Sequence, residues 1–126
     1  MVGGFSGKVL RINLTTRQIS TIDSKKYLDQ GFLGGNGLGT AIFFDLCTDF
    51  SIDGLDSKNI ITIMPGGLAG TLVPGAGRTE VTCFSTAGYP TLDAVKMHSN
   101  PWYSRSNVGG KVATMIKMAG WDGIII

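Results

Sequence analysis

The stretch Met64–Arg78, MPGGLAGTLVPGAGR, constrains this chain more than any other. It packs five glycines and two prolines between an apolar run that ends at Met64 and the alternating run Thr79–Ser85. Glycine reaches backbone angles closed to other residues and carries no Cβ to hold a ligand away, so this density predicts backbone amides brought close to something. A plain connector would need far fewer glycines. Arg78 adds a permanent cation whose planar fork of donors suits phosphate, carboxylate or a heterocycle edge. The segment reads as a binding loop whose ligand supplies the chemistry.

Around this loop, 126 residues with 43% hydrophobic content are enough for one compact domain with a core. Charged residues make up only 16%, and 19 glycines are about twice the usual share. That balance suits a domain that covers a cofactor or a partner, and it predicts some self-association. The net charge of +2 is small and the basic residues do not cluster, which argues against nucleic acid as a partner. No apolar run approaches a membrane span and the N-terminus has no signal-like segment, so a cytoplasmic protein is expected. Cys47 and Cys83 stand apart in apolar settings and are expected as reduced thiols. A single histidine, His98, makes a self-contained protein-ligated metal site improbable.

Along the chain, Lys8–Leu14 and Gln18–Asp23 flank the polar turn Thr15-Thr16-Arg17 and predict a β-hairpin. Ser24–Gln30 predicts a short helix capped by Asp23 or Ser24. Leu33–Gly39 is a second glycine cluster, expected as a loop that opens a helix over Thr40–Cys47. Asn59–Met64 and Thr79–Ser85 predict strands, and Gly88–Ser106 a long excursion. Asn107-Val108-Gly109-Gly110 is then expected at the N-terminus of a helix with an apolar stripe of Val112, Met115, Ile116 and Ala119, closed by Gly120. The last strand, Gly123–Ile126, stops on three isoleucines without a polar turn, which predicts a piece of a longer chain.

Each glycine loop alone reads as a tight turn. Together, beside element ends and with Arg78 and Asn107 among them, they can supply amides and dipole to a polyanionic ligand. Neither a Walker lysine motif nor a GxGxxG after a first strand is present. Arg78 could otherwise serve as a surface ion pair and Asn107 as an ordinary helix cap.

The blocks GKVLRINLTTRQI, FLGGNGLGTAIFF, GGLAGTLVPGAGR and NVGGKVATMIKMAGWDGIII lie in this order and leave out little besides Gly88–Ser106. In them the chain resembles the N-terminal domain of the tungsten-containing aldehyde ferredoxin oxidoreductase family. The resemblance implies an α+β fold of mixed β-sheets with a few short helices, with residues 1–126 forming a domain that binds a tungsten or molybdenum bis-pterin cofactor with magnesium. It implies oxidation of aldehydes, or reduction of the related acid or thioester, in anaerobic metabolism, with ferredoxin or another electron-transfer subunit as partner. The [4Fe-4S] cluster and most of the substrate pocket are expected only in the full-length enzyme, from further domains. Residue by residue, it implies that Arg78 hydrogen-bonds pterin and cluster, and that Asn107 holds magnesium through its backbone carbonyl. Gly109 and Gly110, with Gly75 and Gly77 of the long loop, would present amides to phosphate. Where the family commonly has Gly-Pro-Leu-Thr-Gly-Thr, Gly66–Thr71 lacks the proline and the first threonine. The rival readings are a truncated domain without catalysis, and a small anion- or nucleotide-binding module.

Overall fold

The computed structural model describes residues 4–85 and 102–126. Its centre is one mixed six-stranded sheet in the order β2-β1-β6-β3-β4-β5, with β1 Lys8–Asn13, β2 Gln18–Asp23, β3 Thr62–Pro65, β4 Thr79–Ser85, β5 Trp102–Val108 and β6 Ile124–Ile125. The α+β expectation is met. All pairings are antiparallel except that of β1 with β6.

The hairpin forms as the alternation predicts, its turn fixed by the Asn13 side chain accepting from the Thr16 amide at 2.8 Å. Short helix α1, Lys25–Leu28, follows Ser24. The Asp23 carboxylate takes up the Lys25 amide at 2.8 Å, whereas the Ser24 hydroxyl turns inward to Asp122 at 2.7 Å. β3 starts later than the apolar run suggests. The Asn59 side chain accepts from the Phe84 amide and donates to the Phe84 carbonyl, standing in for a strand backbone there, and Ile61 exchanges two hydrogen bonds with Ile126. Ile124 and Ile125 form β6, with neighbours on both sides, where an apolar run belongs.

The second glycine cluster is not a loop. Helix α2 spans Gly35–Leu46 and begins inside it, after Gly34 at φ 91°. Tertiary packing overrides the low helix propensity of glycine here. Gly39 lies on the sheet where a Cβ would stand 2.7 Å from the Thr62 hydroxyl and 3.2 Å from Met64 Cγ. The Thr62 and Thr82 hydroxyls share a hydrogen bond beneath it, 2.5 Å long. Leu38 and Ile42 of α2 join Val9, Tyr27, Met64 and Ile125 in one core cluster, while Phe43 packs on Phe84 and Tyr103 in a second. Gly39→Val is therefore expected to lower stability by about 2–3 kcal/mol, because the close seat of α2 is overpacked. An unchanged denaturation midpoint would show that the helix does not sit so near.

Helix α3, Val112–Met118, buries Ala113 and Ile116. The expected stripe is corrected: Val112 and Met115 face outward with Met118, and Ala119 is exposed. Gly120, at φ 85°, turns the chain after the helix as predicted. The last residues of the expected excursion, 102–106, belong to β5, pairing Trp102 with Ser85 through Ser106 with Val81; the remainder falls outside the described residues, as does His98. Cys47 is buried and Cys83 half-buried, both free, and burial alone pushes the Cys83 thiol pKa up. Among the described residues no helix is long and apolar enough to cross a membrane.

Candidate cofactor-binding cleft

The three glycine-rich segments meet at one end of the sheet. β3 runs out at Pro65, Gly66 forms an antiparallel bridge with Gly34 at the start of α2, and the Gly66 amide donates to the Arg78 carbonyl at 3.2 Å. The β3–β4 loop is thus closed at its base and its ends are tied to α2. Gly77 then approaches the third segment: a Cβ there would lie 2.9 Å from the Gly110 carbonyl oxygen. The β4–β5 ladder explains this meeting, since it ends with Thr79 opposite Val108 and delivers both turns to the same place.

Beside the loop is an open cleft of about 680 Å³, bordered by Phe5, Leu33, Leu68, Val73, Gly75 and Arg78 among others. Arg78 is exposed and its side chain has no hydrogen bond or ion pair among the described residues. Gly75, at φ 75°, has open space where a side chain would stand, and so do Gly109 and Gly110. Among the described residues no group of three or more His, Cys, Asp or Glu side chains gathers for a metal ion. What this end of the molecule offers is amides and a guanidinium, a donor set for an anionic or carbonyl-rich ligand.

Gly75 and Arg78 border the cleft, while Gly77, beside Arg78 in the chain, lies against Gly110. The helix-terminal placement of Asn107 is corrected. Asn107 lies within β5 opposite Glu80, and α3 starts at Val112 after Lys111. The β4–β5 pairing runs through Val108, so Gly109 and Gly110, the latter at φ 80°, make a turn between strand and helix. The missing proline has a packing counterpart: a Cβ on Gly67 would meet the Phe5 ring 2.5 Å from Cζ and the Leu33 carbonyl at 3.1 Å.

Sequence reasoning missed Phe5, Lys117 and Asp122. Asp122 is fully buried and its carboxylate accepts from the amides of Ser6, Gly7 and Lys8, from the Ser24 hydroxyl at 2.7 Å and from Lys117 Nζ at 2.9 Å. Burial pushes its pKa up, but Lys117 and these donors outweigh that and hold it below the usual carboxylate range. Lys117 also donates to the Gly4 carbonyl at 2.8 Å and lies over the Phe5 ring, 4.5 Å from its centroid. The N-terminal border of the cleft is fixed from the far end of the chain. A lone aromatic among glycines, GGFSG, was the available signal for Phe5; the Asp122 partners are spread too far along the chain to leave one.

The profile of the aldehyde ferredoxin oxidoreductase N-terminal domain matches residues 9–126. The chain is 33% identical over 124 residues to the tungsten-containing aldehyde ferredoxin oxidoreductase of Pyrococcus abyssi, covering 98% of this chain and 18% of that protein. It is 27% identical over 124 residues to an aliphatic sulfonate oxidoreductase, WOR-like subunit, of Pyrococcus furiosus, covering 97% of this chain and 18% of that protein. Its fold is similar to a chain in the solved active site complex BamBC of benzoyl coenzyme A reductase bound to 1,5-dienoyl-CoA. The TM-score is 0.80 and the identity 26%, over 99% of this chain and 17% of that one. The chain thus spans about a fifth of the length of these relatives. With the profile running from the first strand through β6 across the whole glycine-lined end, the chain belongs to the aldehyde ferredoxin oxidoreductase family and corresponds to its N-terminal domain.

Proposed function

We propose that residues 1–126 are the part of a tungsten-dependent oxidoreductase that holds a bis-pterin cofactor, in an enzyme acting on aldehydes or the related acid or thioester. The observation that carries this reading is the meeting of three glycine-rich segments beside a cleft bordered by an exposed arginine whose side chain has no partner among the described residues. Gly75, Gly77, Gly109 and Gly110 would turn amides toward phosphate without side chains in the way, and Arg78 would donate to acceptors on the pterin. Asn107 would offer its backbone carbonyl to a magnesium ion that accompanies the cofactor. When bound, the cofactor would supply the redox chemistry, and this chain would orient it and exclude water around it. Ferredoxin or another electron-transfer subunit, with a [4Fe-4S] cluster held by residues outside this chain, would take the electrons in a cytoplasmic enzyme.

The direct test is tungsten, molybdenum and pterin measured per chain after purification from an anaerobic, tungsten-supplied host. Metal and pterin eluting with the chain are expected; a folded chain with neither overturns the proposal. Gly109 gives a sharper probe, because it has room for a side chain and no positive φ. Gly109→Asp should leave the unfolding midpoint near wild type and abolish cofactor retention, since it puts a carboxylate where phosphate is proposed. Full retention in the folded variant would remove Gly109 from the site.

A further inference from the structure

We infer that Phe5 is the residue against which the cleft's ligand lays its flat ring, and that Lys117 is the positioning residue that holds Phe5 there; this rests on the pterin reading above. Phe5 is far in sequence from the glycine loop yet borders the same cleft as Arg78. Its ring tip packs on the bare backbone of Gly67, where a Cβ would stand 2.5 Å from Cζ and 3.0 Å from Cε2. Lys117 Nζ lies over the ring at 4.5 Å, and fixes the neighbouring backbone by donating to the Gly4 carbonyl. On the other side of Phe5, the Ser6 amide donates to Asp122, which also accepts from Lys117. One buried ion pair therefore holds the chain before and after the ring.

An aromatic side chain fixed in this way has already lost its rotamer freedom on folding, so stacking on it costs little further entropy. Leu33, Leu68, Val73 and Pro74 add apolar wall, and Arg78 is the one charged residue among the described residues that line the cleft. The matching ligand is a planar heterocycle with acceptor atoms on one edge: ring toward Phe5 and the apolar wall, acceptors toward the guanidinium fork.

The probe is neopterin, a soluble pterin, titrated into the purified chain and followed by its fluorescence. Wild type and Phe5→Trp should bind alike, because both present a flat π surface. Phe5→Leu should weaken binding roughly tenfold while its unfolding midpoint stays near wild type, since leucine fills the space but cannot stack. Lys117→Arg should bind like wild type. Lys117→Met should weaken binding in the wild-type background and add no further loss on Phe5→Leu, a non-additivity that a purely structural role would not produce. Equal affinity of wild type and Phe5→Leu overturns the ring assignment and leaves the pterin reading standing. Additive losses overturn the role of Lys117. No binding of neopterin by wild type overturns both the inference and the reading beneath it.

Discussion

Asp122→Ala is expected to cost about 3–5 kcal/mol of folding stability, because it leaves a buried ammonium without its counter-charge and four further donors without their acceptor. The four are the amides of Ser6, Gly7 and Lys8 and the hydroxyl of Ser24, and Lys117 is the ammonium, only 9% exposed. In a domain of this size such a loss lowers the melting temperature by roughly 10–20 °C. Pairing the change with Lys117→Met should recover part of the loss, since the double variant buries no unpaired charge. The same carboxylate makes stability depend on pH. Its folded pKa lies below the unfolded value, so its contribution is complete above the unfolded carboxylate pKa, about 3.9, and is lost as pH falls through the lower folded value. Denaturant titrations of wild type and Asp122→Asn across the acid range check this. A loss under about 1 kcal/mol in Asp122→Ala, or identical acid profiles, would show that the buried carboxylate is not what ties the N-terminus to β6.

Arg78→Ala should lose the cofactor, whereas Arg78→Lys should keep most of the tungsten, lower turnover and shift the reduction potential. The guanidinium borders the cleft, is exposed, and has no protein acceptor among the described residues, so removing it leaves no buried group unpaired and folding should survive. A lysine keeps the charge but loses the planar fork that can bond two acceptors at once. Retention would then follow charge, and tuning would follow geometry. Metal analysis, redox titration and aldehyde oxidation of the tungsten-loaded enzyme separate the two variants. Normal tungsten content and rate in Arg78→Ala would return Arg78 to a solvated surface residue.

The hairpin, the loop that ends at Arg78 and the turn at Gly120 were legible in the residues, because each rests on local rules: alternation, turn chemistry and the backbone freedom of glycine; the mixed sheet was implied by the resemblance. The resemblance added the family, which the matched profile bears out. The second glycine cluster misled because glycine has two uses that look alike in one dimension. At Gly34 it supplies a positive φ, and at Gly39 it lets a helix lie against the Thr62 and Thr82 hydroxyls. The outward stripe of α3 was misplaced for a related reason: a seven-residue helix carries too few apolar positions to say which side faces the sheet.

The sequence by itself determined that the long glycine loop after β3 exists and that an arginine closes it, since backbone permissiveness and a fixed charge are properties of single residues. Only the tertiary structure decided which segments share a site. Strand register carried Val108 to Thr79 and so Gly110 to Gly77, placed Asn107 inside β5, and brought Lys117 and Asp122 across the whole chain to hold Phe5 at the cleft. These pairings join residues up to 116 positions apart. No local propensity encodes them, because their free energy arises only once the sheet has closed and water has left the space between its partners.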